Sequence, residues 1–204
     1  MAAKYGFSDV REGLVKDLKV AYPTKWEDFT AARVLGEDIF GLPKPHPNAV
    51  LNLFLEQNIK FALPFASYRA SLGDFPSLIS DEPGTALPRL TLASIVHGRE
   101  MATGIAALAA HDIVYMHGLG VCPDRSCVLN VGIDSAEGRR DALKKIFYAM
   151  AVENKCGLLS PPSLGTRACV DCANRLEKAH LIYRAGFFLE RLPSLFGFES
   201  WEGV

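Results

Sequence analysis

Apolar side chains recur every third or fourth position along most of this chain, the spacing of one helix face, and only residues 128–133 suggest alternation. Val10, Leu14, Val15 and Leu18 predict a helix over 8–22, with Ser8 as its cap, Asp9 and Glu12 in its first turn and Pro23 as its stop. Thr24-Lys25-Trp26-Glu27 has the form of a capping box opening a short helix that buries Trp26 and Phe29. Pro43, Pro45 and Pro47 mark residues 36–47 as a connector, because each lacks a backbone donor and disfavours helix before it. The next helix is expected to run to about residue 58, burying Val50, Leu53 and Phe54, and Pro64 opens another through Phe65, Tyr68 and Leu72.

Residues 73–88 are rich in Gly, Pro, Ser and Asp and read as an exposed loop. The longest periodic segment follows, from Leu90 to about Met116, with Leu92, Ile95, Val96, Ile105, Leu108 and Ile113 as its stripe. Gly98 and Gly104 weaken it by about 1 kcal/mol each relative to Ala and allow a kink, and Gly118-Leu119-Gly120 ends it. Asp134 and Glu137 cap a helix reaching Val152, through Ala142, Leu143, Ile146, Phe147 and Met150. A turn-rich loop at 157–165 leads to a last helix from Cys169 to Arg191, ended by Pro193. The tail that follows, with Leu195, Phe196, Phe198 and Trp201, is apolar enough to fold back onto the helices. The class expected is therefore all-α, a compact array of about seven helices. An N-terminal lobe (1–75) and a C-terminal lobe (89–204) would be joined by a loop at 76–88.

Composition narrows the function classes. The chain has 204 residues, 49% hydrophobic and 22% charged, in the range of folded globular proteins. A net charge of −1 gives no overall pull toward nucleic acid or anionic lipid. No apolar run is long enough for a membrane span, and residues 1–10 lack the apolar core of a signal peptide. A reducing compartment, cytoplasm or nucleus, is expected, and five cysteines do not suggest a disulfide framework.

The cysteines carry the most specific chemistry. Cys122 and Cys127 form a C-x4-C pair, and Cys169 and Cys172 form a C-x2-C pair 41 intervening residues later. Zinc favours four thiolates in a tetrahedron, and two short knuckles are a common way for loops to supply them. One knuckle follows the long helix and the other opens the last one, where the helix N-terminus favours thiolate. A structural Zn2+ on Cys122, Cys127, Cys169 and Cys172 is the expectation, against plain buried thiols or a redox pair. Cys156 fits neither knuckle, and His117 and His180 are left aside as packing or surface histidines.

Catalytic signals are lacking. No G-x-S-x-G elbow is present, and Gly118-Leu119-Gly120 lacks the remaining features of a dinucleotide loop. His97 and Glu100 read as a solvated helix face, and His111 and Asp112 should diverge by about 100° as helix neighbours and form no dyad. Arg139, Arg140, Lys144 and Lys145 interleave with Glu137 and Asp141, a pattern of a solvated face more than a phosphate track. With Arg167, Arg175 and Lys178 they keep an alternative alive, a zinc-containing nucleic-acid-binding or transcription-regulatory protein, provided that the cations share one face beside the metal.

Several stretches resemble a known family. Lys4-Tyr5 with Arg11, in the pattern KY-x5-R, is similar to the closing helix of a BTB/POZ domain ahead of a BACK-like helical extension, and Ala21-Tyr22-Pro23-Thr24 with Trp26-Glu27-Asp28 continues the likeness. Ala62-Leu63-Pro64-Phe65-Ala66-Ser67-Tyr68 resembles the A-L-P-x-A-x-Y helix start of BTB-domain proteins from mushroom-forming fungi. The stretch from Leu192 to Glu202 is similar to their ending L-P-S-x-F-G-x3-W-E, and the two cysteine pairs stand in matching places. The resemblance covers nearly the whole chain as the region after the BTB core, with residues 1–75 as the BACK-like lobe. The core itself would lie upstream of Met1, so its dimerisation and cullin- or corepressor-binding surfaces carry over to no residue here. The resemblance implies a non-catalytic intracellular protein-interaction or scaffold module, with protein partners that the sequence does not identify.

Overall fold

A computed structural model describes residues 8–31, 45–116, 122, 124, 127, 136–151, 159 and 169–201. The chain is all-α, and no strand occurs among the described residues. In order, the helices are α1 (Ser8–Ala21), α2 (Trp26–Ala31), α3 (Pro47–Glu56), α4 (Leu63–Ser71), α5 (Phe75–Leu78), α6 (Arg89–Met116), α7 (Ala136–Ala151), α8 (Val170–Gly186) and α9 (Leu192–Leu195). A 3-10 turn, Lys60–Ala62, leads into α4, and a π-helical segment, Phe187–Arg191, separates α8 from α9. The expected connector at 36–44, the helix stop at 118–120, the alternation at 128–133 and Cys156 lie outside the described residues.

Contacts divide the chain into two compact units, Met1–Gly98 with Leu192–Val204, and Arg99–Arg191. The division falls inside α6, and the 73–88 segment belongs to the first unit. The reason is polar. Asn48, buried, donates from Nδ2 to the Ser77 carbonyl (2.9 Å), and Asn52 donates to the carbonyls of Gly84 (3.2 Å) and Ala86 (2.9 Å). These bonds bind the whole segment to α3. Within it Asp74 caps α5 by accepting from Ser77 N (2.9 Å), and Leu78 is buried, so residues 73–88 hold an anchored helical turn in place of a free loop.

The first unit is organised by aromatic rings. Tyr22 meets Phe54 edge-on at 4.7 Å, and Phe65 lies edge-on to Tyr22 (6.1 Å) and to Phe29 (5.9 Å). Such pairs add about 0.5–1.5 kcal/mol beyond the burial of their area. Trp26 stacks on Phe29 at 5.3 Å; Phe29 is buried as expected, while Trp26 is half-buried. In α3 the buried residues are Asn48, Leu51 and Phe54, while Leu53 is exposed; the inward face is the i, i+3 series from Asn48 and not the one through Val50 and Leu53. In α1 Leu14 is exposed, and burial falls instead on Ala21 and Tyr22 at its end.

The tail folds back as its composition demands. Helix α9 packs on α4, Leu195 and Phe196 are buried, and Ser94 of α6 donates to the Phe196 carbonyl at 2.8 Å. Pro193 does not stop the helix. It sits at the start of α9, where no backbone donor is required, after a π-helical segment that takes up the change in pitch. Gly98 is not a kink: α6 is unbroken from Arg89 to Met116, and a Cβ at Gly98 would overlap the Phe196 ring.

In the second unit the inward face of α6 is small. Ala106, Ala109, Ala110 and Ile113 are buried, whereas Leu108 is 67% exposed. Ala142 and Ile146 are buried on α7, and Cys172, Leu176, Ala179 and His180 on α8. The Tyr183 hydroxyl donates to Asp112 Oδ2 (3.1 Å) and ties α8 to α6.

The packing of Gly98 yields a test. Gly98→Ala should raise helix propensity yet destabilise the fold by about 1–3 kcal/mol through overpacking. A urea midpoint for the variant equal to or above that of the parent chain would show that the Phe196 contact is not formed.

Candidate metal centre

The two knuckles meet. The sulfurs of Cys122, Cys127, Cys169 and Cys172 all lie within 4.8 Å of one another. Cys122, Cys127 and Cys172 are buried, and Cys169 is half-buried. The four are free thiols; the Cys122 and Cys169 sulfurs stand 3.4 Å apart, beyond the roughly 2.0 Å of a disulfide. Around a tetrahedral zinc with Zn–S bonds of about 2.3 Å, sulfurs are separated by about 3.8 Å, so this set matches the donor arrangement in kind and in scale.

Local backbone builds each knuckle. Cys127 N donates to the Asp124 carbonyl (3.2 Å), closing a turn in the first pair, and a backbone hydrogen bond from Asp124 reaches the Cys122 thiol. Cys169 is the N-cap of α8, extended at φ −68° and ψ 158°, and Ala173 N donates to its carbonyl at 2.9 Å. Its side chain, freed from capping, turns to the cluster. Cys172, one turn later, falls on the same helix end, which is why two intervening residues suit a chelating pair. The knuckles are also joined directly, since Cys169 N donates to Cys127 Sγ at 3.3 Å.

Without a bound cation, burial holds the cluster in its neutral form. Burial, then hydrogen bonds to Cys122 and Cys169, push the Cys172 thiol up to about 12, and burial likewise raises Cys122. Without a metal these groups are held neutral. A divalent ion would reverse that, drawing off the protons as it binds. Arg175 is placed to offset the resulting negative charge, donating from Nη2 to Cys172 Sγ at 3.6 Å, and the α8 N-terminus acts in the same sense. The three-residue offset of Arg175 from Cys172 is visible in the sequence as one turn of helix, but only the fold points the guanidinium at sulfur.

Other candidates fall elsewhere. His97 and Glu100 are exposed, as expected for a solvated face. His111 and Asp112 do meet, contrary to the helical-wheel expectation: Nδ1 and Oδ1 are 3.3 Å apart, because both side chains lean across the helix surface. The pair is about half exposed, and Asp112 also receives the Tyr183 hydroxyl, so it acts between helices on the surface. Asp112 and burial raise the Tyr183 phenol, burial first. Arg140, Lys144 and Arg175 are exposed; the Arg139 side chain, Arg167 and His117 lie outside the described residues.

His180 is the residue that the sequence pattern undervalued. It is 1% exposed, and among the described residues neither ring nitrogen has a hydrogen-bond partner. Burial, with the Arg184 cation adding to it, lowers its pKa to about 4. A search against known protein families, curated proteins and solved structures finds no match to this chain.

Alanine at Cys122, Cys127, Cys169 or Cys172 should each cost several kcal/mol in zinc-replete buffer, since metal free energy is folding free energy, while Cys156→Ala should cost far less. Equal, small shifts in denaturation midpoint at all five positions would contradict a metal clip. For His180, the unfolded chain takes up a proton below about pH 6.5 that the folded chain refuses until about pH 4, so stability falls as pH drops through that window, by about 3 kcal/mol at its lower end. Acid also protonates metal-bound thiolates, so the measure is the difference between the parent and His180→Leu. The variant should lose that part of the slope, and parallel profiles would refute the assignment.

Proposed function

We propose that this chain is a non-catalytic, intracellular protein-interaction module of the kind that follows a BTB core, with its second unit held by a structural zinc on Cys122, Cys127, Cys169 and Cys172. The convergence of the four sulfurs within 4.8 Å carries the reading. Four protein ligands fill the tetrahedron and leave no position for water or substrate, which is the arrangement of a structural and not a catalytic zinc. Four free thiols suit the reducing interior of a cell. Among the described residues no helix is long and apolar enough to cross a membrane. The nucleic-acid reading has less behind it: exposed Arg140 and Lys144 alternate with exposed Glu137 and Asp141, and the net charge is −1.

Elemental analysis of untagged protein should find one zinc per chain, and a strong chelator should lower the thermal midpoint and the helical signal together. Protein free of any metal as purified, with a midpoint indifferent to both zinc and chelator, would overturn the reading.

A further inference from the structure

The four sulfurs are not equivalent, and the difference points to chemistry beyond holding a metal. Cys122, Cys127 and Cys172 are buried, and each accepts a hydrogen bond: Cys122 from the Asp124 backbone, Cys127 Sγ from the Cys169 N–H at 3.3 Å, and Cys172 Sγ from Arg175 at 3.6 Å. Cys169 is the least buried of the four, and its sulfur lies 3.4 Å from that of Cys122 on the other knuckle. An oxidant arriving from solvent meets Cys169 first, with a second sulfur already beside it.

We infer that the cluster is a peroxide-sensitive clip in which Cys169 is the sulfur attacked and Cys122 the resolving one. The inference rests on the zinc reading above. The Cys169 thiolate takes an oxygen from hydrogen peroxide: the O–O bond breaks, the hydroxide that leaves is protonated to water, and a sulfenic acid forms. The Cys122 thiolate then attacks that sulfur, the S–O bond breaks, and a second water leaves. Two thiolates, one peroxide and two protons give one disulfide and two waters. Closing from 3.4 Å to a bond of about 2.0 Å takes side-chain rotation of the two cysteines. Cys127 and Cys172 alone cannot complete a tetrahedral set, so the metal is released while the two knuckles stay joined by a covalent link.

The test uses the full chain loaded with zinc and treated with graded hydrogen peroxide. Free thiols are then blocked, the protein is digested, and cross-links are mapped by mass spectrometry while released zinc is followed with a colorimetric chelator. A Cys122–Cys169 link should dominate, rise in step with zinc release, and vanish on adding a thiol reductant. Cys169→Ser should slow peroxide-driven release by about tenfold or more; if that variant does not fold, the cross-link map of the parent chain decides alone. A dominant Cys127–Cys172 link, a link through Cys156, sulfinic acid without any disulfide, or retained zinc would each overturn the proposal. If the purified chain holds no zinc, the metal reading fails separately, and the map made on the metal-free chain still decides the pair.

Discussion

Two short loops far apart in sequence bring their sulfurs to one point, and the second unit depends on that meeting. One loop follows the longest helix and the other begins α8, so whatever joins the sulfurs fixes where α8 starts. Burial keeps the thiols neutral when no cation is present, Cys172 most of all. A divalent metal changes the sign of that balance, since four thiolates, the Arg175 guanidinium and the helix N-terminus then form one compensated set.

The first unit is stabilised by different means. Its core is a set of edge-on aromatic contacts among Tyr22, Phe29, Phe54 and Phe65, closed by the return of α9 onto α4. Its loops are held by side-chain amides: Asn48 and Asn52 each satisfy carbonyls in the 73–88 segment. A buried Asn without its carbonyl partner would cost about 1–3 kcal/mol, so this short polar seam is as constraining as the rings around it. The unit needs no metal to account for its packing.

Functional assignment follows from the contrast. The residue pair that comes nearest to catalytic form, His111 and Asp112, lies on the surface with Tyr183 as its third member and works as an interhelical tie. Among the described residues the most specific chemistry is the four-sulfur cluster, in which Cys169 is the least buried member.

The cysteine spacing, the helical periodicity and the apolar tail were legible along the chain because each depends on local repeats: a helix face, a chelating pair one turn long, a terminus too hydrophobic to stay in water. The all-α class and the four-cysteine cluster follow from them. Which face turns inward did not. Leu108 and Leu53 face solvent while Ala106 and Leu51 are buried, since neighbouring helices choose the face that packs most closely and not the one richest in large side chains. The unit boundary inside α6, the role of Gly98 against Phe196, the burial of His180 and the aim of Arg175 at Cys172 likewise exist only once distant segments are in contact. Sequence sets what each segment can do alone; long-range packing decides which of those capacities the folded chain uses.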